Sequence, residues 1–197
     1  MRTRYEQGYK HWKIAVNLSS VQFSNDNLIE LVQSTLKRNN LPATCLMLEV
    51  TESTAMHNVE ASLTILEKLV SLGVEISIDD FGTGYSSLLY LKRLPATELK
   101  IDRGFISDLA HGTHDASIVS AIVALGRSLN LRIVAEGVET GKQQEYLTTL
   151  GCDTLQGYFM GRPVGSEQFM AAIHAAEVLQ ADQRSMPNPN IQAMQAI

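Results

Sequence analysis

Two adjacent carboxylates, Asp79 and Asp80, are the residues of this sequence with the most specific chemistry. They close a short apolar run, Val74–Ile78, and a loop rich in glycine and serine follows at Phe81–Ser87. Neighbouring ionised carboxylates repel each other, so both stay charged only where cations, hydrogen bonds or water compensate them. A divalent cation is one such solution, and two-metal phosphoryl chemistry uses acidic clusters of this kind. The alternative is a solvated acidic turn, which the pair alone does not exclude.

Polar side chains also stand at or near the ends of the other short apolar runs. They are Asn17, Glu49, Glu52, Lys100, Glu136, Glu139 and Gln156. Each has a plain structural reading by itself, such as a turn cap, a rim charge or a backbone hydrogen bond. Because the carboxyl ends of parallel strands converge on one face of a β/α fold, we expect these residues to meet in one acidic pocket. Carboxylate and amide oxygens indicate Mg²⁺ or Mn²⁺, whereas no HxxxH or CxxC spacing indicates zinc.

The segments around these residues alternate between strand-like and helical patterns. Strands are predicted at 13–19, 45–51, 74–80, 98–102, 131–136 and 153–156. Helices are predicted at 27–38, 59–72, 116–129, 140–150 and 168–179. Gly73 and Gly151 are the predicted stops of the second and fourth of these helices. Repeated alternation predicts a parallel α/β sheet with helical crossovers, either an open doubly wound sheet or a TIM-type barrel.

Strand alternation separates the polar residues from the aliphatic ones. Ile76 and Ile78 share one face of the third strand, so Ser77 and Asp79 share the other. Glu49 lies on the polar face of the second strand by the same argument. We therefore predict that the aliphatic faces pack on the helices and the polar faces point into a barrel.

Composition excludes several classes of protein. The formal net charge of the 197 residues is -5, and no dense cluster of Lys and Arg occurs, which argues against DNA or RNA binding but not against a nucleotide ligand. Cys45 and Cys152 form no CxxC pair and indicate no disulfide framework, as in a reducing cytoplasm. No run of about 18 apolar residues indicates a membrane span. A longer parent protein could carry a membrane anchor or a sensor segment upstream.

Six motifs of this sequence, in order, resemble those of the EAL domain family of bacterial cyclic-di-GMP phosphodiesterases. They are Asn17-Leu18-Ser19, Glu49-Val50-Thr51-Glu52, Asp79-Asp80-Phe81-Gly82-Thr83-Gly84-Tyr85-Ser86-Ser87, Lys100-Ile101-Asp102, Ala135-Glu136-Gly137-Val138-Glu139-Thr140 and Gln156-Gly157-Tyr158. The similarity runs from about residue 10 to about residue 175. It implies a TIM-type barrel that binds two Mg²⁺ or Mn²⁺ ions and hydrolyses cyclic-di-GMP to linear pGpG.

The resemblance also implies roles for the polar residues. Asn17, Glu49, Asp79 and Asp80 are the implied metal ligands. Lys100 is implied to hold the attacking water and Glu136 to act as general base, while Glu139 and Gln156 complete the metal and water environment. Glu52 is the implied anchor of the Asp80–Ser87 loop, and the region of that loop is implied to border a homodimer contact.

The Glu-Ala-Leu motif that names the family does not occur in this sequence. The family places it on an early strand upstream of Asn17, so we expect an incomplete barrel that lacks the first strands and one ligand glutamate. We accordingly expect impaired hydrolysis by this chain; the alternative is a non-catalytic module that binds cyclic-di-GMP or a protein. A metal-dependent barrel lyase of the enolase kind fits the acidic rim but not the motif set. The predicted domain spans 1–178, followed by a poorly ordered tail at 179–197.

Overall fold

Six parallel strands form one sheet in the computed structural model, which describes residues 2–84, 88–107, 109, 113–165 and 167–171. The strands are β1 (Ile14–Leu18), β2 (Leu46–Thr51), β3 (Glu75–Phe81), β4 (Glu98–Ile101), β5 (Arg132–Ala135) and β6 (Thr154–Leu155). Their spatial order is the order of the chain, β1 to β6. The predicted parallel α/β sheet is confirmed, and sequential order without a reversal is that of a barrel rather than of a doubly wound sheet.

Helices connect the strands as the periodicity predicts, with several short ones added. They are α1 (Arg2–Glu6), α2 (Ser20–Phe23), α3 (Leu28–Arg38), α4 (Glu52–His57), α5 (Val59–Ser71), α6 (Leu88–Leu91), α7 (Arg103–Ser107), α8 (Thr113–Ser128) and α9 (Gly141–Leu150). In the last predicted helix, 167–171 are helical, and 172–179 lie outside the described residues. The predicted tail at 179–197 also lies outside them.

Both glycine stops are confirmed. Gly73 follows α5 with φ of 93°, and its amide donates to the carbonyl of Val70. Gly151 caps α9 in the left-handed conformation with φ of 89°. A glycine adopts this conformation without the steric penalty that a Cβ brings, which is why the helices end there.

The hydrophobic core lies between the outer face of the sheet and the helices. Ile76, Ile78, Leu99, Ile101 and Ile133 are completely buried on that face. They belong to one cluster with apolar side chains of the helices, among them Leu63, Leu66, Leu69, Val119 and Val123. The predicted division of the strands into an aliphatic outer face and a polar inner face follows from this packing.

The chain divides into two compact units, Met1–Met160 and Gly161–Ile197. The first contains the whole sheet and the nine labelled helices. Of the second, the structure describes 161–165 and the helical residues 167–171. Among the helices of these described ranges, each is too short or too polar to cross a bilayer.

Candidate active site

A buried lysine on β4 forms the centre of the polar inner face. Lys100 is only 4% exposed, and its Nζ contacts three carboxylates. The distances are 2.7 Å to Oε1 of Glu136, 3.1 Å to Oε1 of Glu49 and 3.1 Å to Oδ1 of Asp79. The four residues come from β2, β3, β4 and the segment after β5. The site is therefore assembled by the sheet from residues distant in sequence.

Register explains why these side chains face each other. Glu49 on β2 is the Cα partner of Asn17 on β1 and of Ser77 on β3. Asp79 lies two residues beyond Ser77, and a two-residue step returns to the same face of a strand. Parallel pairing in this register stacks the polar side chains in layers that rise toward the carboxyl ends.

The pair Asp79 and Asp80 occupies an irregularity of β3. Ile78 pairs with Leu99 and Phe81 with Ile101, so two residues of β3 oppose Lys100 alone. Asp80 has a φ of 53°, in the left-handed region that residues other than glycine rarely adopt. A bulge of this kind re-aims a side chain that strict alternation would send to the other face. Both carboxylates therefore reach the inner side of the sheet end.

Charge compensation within the site is incomplete. Burial alone would lower the pKa of Lys100, but its hydrogen bond to Glu136 and the negative charges of Asp79, Glu136 and Glu49 raise that pKa instead. The ammonium group is therefore held protonated. One positive charge facing three carboxylates, with Asp80 beside them, leaves a net negative site suited to a cation.

The carboxyl groups of Glu136 and Asp80 ionise less readily than an exposed acid, because their pKa values are raised. Burial raises the pKa of Glu136, with Asp79 and Glu49 adding to the effect, while Lys100 partly opposes it. Burial also raises the pKa of Asp80, helped by the charges of Asp79 and Asp102. An added cation near these oxygens would relieve the repulsion between them.

Three carboxylates can converge on one ion. Oxygen atoms of Asp79, Asp80 and Glu136 lie within 4.8 Å of one another. An all-oxygen donor set suits Mg²⁺ or Mn²⁺. The residues present therefore fit a hard divalent cation at this end of the sheet.

Glu52, at the start of α4, is buried away from this cluster. It is 1% exposed, and its Oε2 accepts a hydrogen bond of 2.7 Å from the amide of Gly82. Its Oε1 has no hydrogen-bond partner within the described part of the chain. A Cβ on Gly84 would lie 2.7 Å from that oxygen, so the loop passes close over the carboxylate. Glu52 thus connects α4 to the loop that follows Asp79 and Asp80.

The remaining predicted site residues lie at the margins. Asn17 is exposed on the edge strand β1, although it is the Cα partner of Glu49. Glu139 and Gln156 are exposed in the segments after β5 and β6. No hydrogen bond or ion pair joins these three side chains to Lys100 or its carboxylates among the residues that the structure describes.

A polar contact between Ser77 and Glu98 on the inner face was not predicted from the sequence. Ser77 is completely buried on the inner face, and its hydroxyl donates to Oε1 of Glu98 at 3.0 Å. Alternation placed Ser77 on the face of Asp79, and the same alternation places Glu98 on the face of Lys100. That shared parity was the available signal for a second polar layer.

Comparison with known proteins assigns the fold of this chain to a family. The EAL domain model matches residues 1–163. The chain belongs to the EAL domain family. The resemblance inferred from the sequence motifs is thereby confirmed. Solved structures of this family share the barrel architecture of the chain.

Two proteins of Pseudomonas aeruginosa are similar in sequence to this EAL domain. The bifunctional diguanylate cyclase/cyclic di-GMP phosphodiesterase MucR is 63% identical over 173 residues, which is 88% of this chain and 25% of MucR. The cyclic di-GMP phosphodiesterase NbdA is 42% identical over 175 residues, which is 87% of this chain and 22% of NbdA. This EAL domain sequence therefore spans about a quarter of the length of these relatives.

Solved structures agree with this EAL domain along most of its length. The PaMucR phosphodiesterase in complex with c-di-GMP superposes with a TM-score of 0.84 at 64% identity, covering 86% of this chain and 68% of that one. The EAL domain of Mycobacterium smegmatis DcpA gives a TM-score of 0.80 at 36% identity, covering 87% and 78%.

Proposed function

We propose that this chain is a metal-dependent phosphodiesterase domain that hydrolyses cyclic di-GMP to linear pGpG. The observation that carries the proposal is the contact of Lys100 with Glu49, Asp79 and Glu136 at the carboxyl ends of parallel strands. Membership of the EAL family and 63% identity to a protein named as a cyclic di-GMP phosphodiesterase support it.

Each residue of the site has a role in this proposal. Glu136 accepts the proton of the attacking water, because its carboxylate lies 2.7 Å from Lys100, the residue proposed to hold that water. Lys100 keeps its positive charge and holds that water, as the resemblance to the family implies. Glu139 and Gln156 border the water and metal environment from the segments after β5 and β6.

Asn17, Glu49, Asp79 and Asp80 would hold two divalent cations, Mg²⁺ or Mn²⁺. Bound there, the ions would supply a more acidic water and stabilise negative charge on the phosphate. Glu49 and Asp79 flank Lys100, while Asn17 approaches from β1 beside Glu49. The acidic cluster of Asp79, Asp80 and Glu136 supports a cation at this point of the sheet.

Glu52 anchors the loop that begins at Asp80, through its hydrogen bond from the amide of Gly82. We propose that the same loop region borders a homodimer contact. Residues 85–87 of the loop lie outside the described residues, and α6 follows with Leu88 and Leu89 60% and 68% exposed. We also propose that the domain is located in the cytoplasm. In a longer parent protein, a sensor domain would lie upstream of it.

Incubating the purified chain with cyclic di-GMP and Mn²⁺, and separating the nucleotides by ion-exchange chromatography, tests the activity. We expect the chain alone to form pGpG at a low rate. A protein extended upstream by a segment that contains a Glu-Ala-Leu motif, called the extended protein below, should form it faster. The reason is that the resemblance assigns one ligand to a Glu-Ala-Leu motif absent from this sequence. EDTA should abolish product formation in both proteins.

Asp79→Asn is the matched test of the site, with Asp26→Asn as its control. Asp79 contacts Lys100 and belongs to the acidic cluster, whereas Asp26 is exposed in the turn before α3. We expect Asp79→Asn to lose Mn²⁺-dependent turnover and Asp26→Asn to keep it. Equal turnover by both variants would remove Asp79 from the metal site.

A module that binds cyclic di-GMP without cleaving it is the second candidate. The exposure of Asn17 favours it, because this proposed metal ligand forms no hydrogen bond or ion pair with Lys100 or its carboxylates in the described part of the chain. Calorimetric binding of cyclic di-GMP by the extended protein, with no pGpG formed at any Mn²⁺ concentration, would select this candidate over the enzyme.

A further inference from the structure

A second charged layer lies below the Lys100 site, at the amino ends of the strands. Glu75, at the start of β3, forms two ion pairs. Its Oε1 lies 2.5 Å from Nζ of Lys13, and its Oε2 lies 2.8 Å from a guanidinium nitrogen of Arg132. The same guanidinium nitrogen of Arg132 lies 3.5 Å from Oε2 of Glu98. These four residues precede or begin β1, β3, β4 and β5, so the layer connects strands that are not all neighbours.

Ser77 connects this layer to the interior. Its hydroxyl donates to Oε1 of Glu98 at 3.0 Å, while Oε2 of the same carboxylate faces Arg132. Ser77 is completely buried, and the side chain of Glu98 is 12% exposed. A buried hydroxyl bonded to a charged acceptor is among the stronger hydrogen bonds of a protein interior.

The hydrogen bond between Ser77 and Glu98 lies directly below the bulge that contains Asp79 and Asp80. Ser77 and Glu98 are Cα partners, and the regular register ends one residue pair later, at Ile78 and Leu99. Asp79 lies two residues beyond Ser77, and Lys100 lies two residues beyond Glu98. The bond is therefore the last inward-facing contact of β3 with β4 before the bulge.

Register at this point decides which side chains face the site. A slip of one residue between strands sends every side chain to the opposite face. A bulge placed one residue earlier or later would turn Asp79 or Lys100 away from the other. A fixed hydrogen bond directly below the bulge prevents such a shift on this face of the sheet.

We propose that Ser77 and Glu98 are positioning residues, which hold β3 and β4 in the register that brings Asp79 and Asp80 against Lys100. The inference rests on the proposed function, since it concerns how the proposed metal ligands are placed. Arg132 aligns Glu98 from the adjacent strand, and Glu75 with Lys13 aligns Arg132 in turn. The lower layer thus sets the geometry of the upper one.

Two variants of Glu98 separate positioning from general packing. Glu98→Gln keeps an oxygen that can accept from Ser77, whereas Glu98→Leu removes the acceptor. Electron paramagnetic resonance titration with Mn²⁺ should show roughly tenfold weaker binding for Glu98→Leu and near-normal binding for Glu98→Gln, a loss at the low end of that seen when residues that orient metal ligands are replaced. Ser77→Ala, which keeps the small side-chain volume, should weaken Mn²⁺ binding in the same direction.

Amide hydrogen exchange gives a readout that does not depend on the metal. In Ser77→Ala and Glu98→Leu, the amides of 79–81 and 100–101 should exchange faster than in Glu98→Gln, while those of 133–135 keep their relative protection. Uniformly faster exchange across the sheet, or no change at 79–81, would overturn the positioning role. Absence of Mn²⁺ binding by the unmodified chain would instead contradict the proposed metal site, and exchange would still decide on positioning.

Discussion

The ammonium nitrogen of Lys100 lies 2.7 Å from Oε1 of Glu136, which is the shortest of its three carboxylate contacts. The contact holds the proposed base next to a group that stays protonated, since the pKa of Lys100 is raised by its partners despite burial. The same ammonium neutralises part of the charge of Glu49 and Asp79. Lys100 is therefore an internal cation of the acidic site as well as a donor to it.

Replacing Lys100 with Met tests this compensation. Removal of one partner from a buried ion pair destabilises a protein by about 3–5 kcal/mol. We expect the metal-free Lys100→Met variant to unfold at a lower temperature and to gain more from added Mn²⁺ than the unmodified chain. Thermal unfolding with EDTA and with Mn²⁺ measures both effects.

Lys92→Met is the matched control for this substitution, because Lys92 is exposed on the surface. It should leave both unfolding temperatures nearly unchanged. If Lys100→Met shows the same small Mn²⁺ shift as Lys92→Met, the ammonium does not compensate the carboxylates of the site.

Replacing Gly84 with Ala tests the anchor at Glu52. The added Cβ would lie 2.7 Å from Oε1 of Glu52, an oxygen buried without a partner in the described residues. Displacing this carboxylate breaks its bond from the amide of Gly82, and a buried group left unpaired costs about 1–3 kcal/mol. Chemical denaturation should show that loss, accompanied by weaker Mn²⁺ binding through the disturbed loop.

Gly165→Ala controls for the substitution itself, because a Cβ at Gly165 meets open space. Its free energy of unfolding should stay within about 0.5 kcal/mol of the unmodified value. Equal stability of the Gly84 and Gly165 variants would show that the loop does not pack on Glu52.

Acid sensitivity of the lower layer depends on Glu75. Burial would raise the pKa of this carboxyl, but the hydrogen bond from Lys13 and the charges of Lys13 and Arg132 outweigh it and lower the pKa below its ordinary 4.5. A lowered folded-state pKa stabilises the fold above the ordinary value, and this stabilisation is lost as pH falls through the lowered one. Glu75→Gln lacks the negative charge that pairs with Lys13 and Arg132, so it should be less stable than the unmodified chain at pH 6.

The stability difference between Glu75→Gln and the unmodified chain should narrow as pH falls below 4.5. Urea denaturation at a series of pH values checks the trend. Glu145→Gln is the control, since Glu145 is exposed on α9 and forms no ion pair within the described residues. A gap for Glu75→Gln that widens with acid would contradict the assigned direction of the pKa shift.

Strand alternation predicted much of the site, because period two is fixed by backbone geometry. Glu49, Asp79 and Lys100 reach the inner face as their spacing from Leu48, Ile78 and Leu99 requires. Sequential parallel order was likewise predictable from the repeated strand and helix pattern. Glu52 was implied as a loop anchor only through the resemblance to the EAL family.

Asp80 shows what alternation could not predict. Period two sends it to the outer face, but a left-handed φ of 53° and the bulge opposite Lys100 return its carboxylate to the site. That conformation depends on contacts between strands that are distant in sequence. The short helix α2 carried a local signal, since Ser19 and Gln22 form a capping box, yet four residues are too few for helical periodicity to appear.

Hydrolysis of cyclic di-GMP by Glu136→Gln, compared with its binding of the same nucleotide, tests the central claim most directly. Glutamine keeps an oxygen for Lys100 but accepts a proton poorly, so turnover of the extended protein in Mn²⁺ should fall by about 10²- to 10⁴-fold while nucleotide affinity stays near normal. Turnover within a few-fold of the unmodified protein would contradict the assignment of Glu136 as the base and of the Lys100 site as the site of hydrolysis.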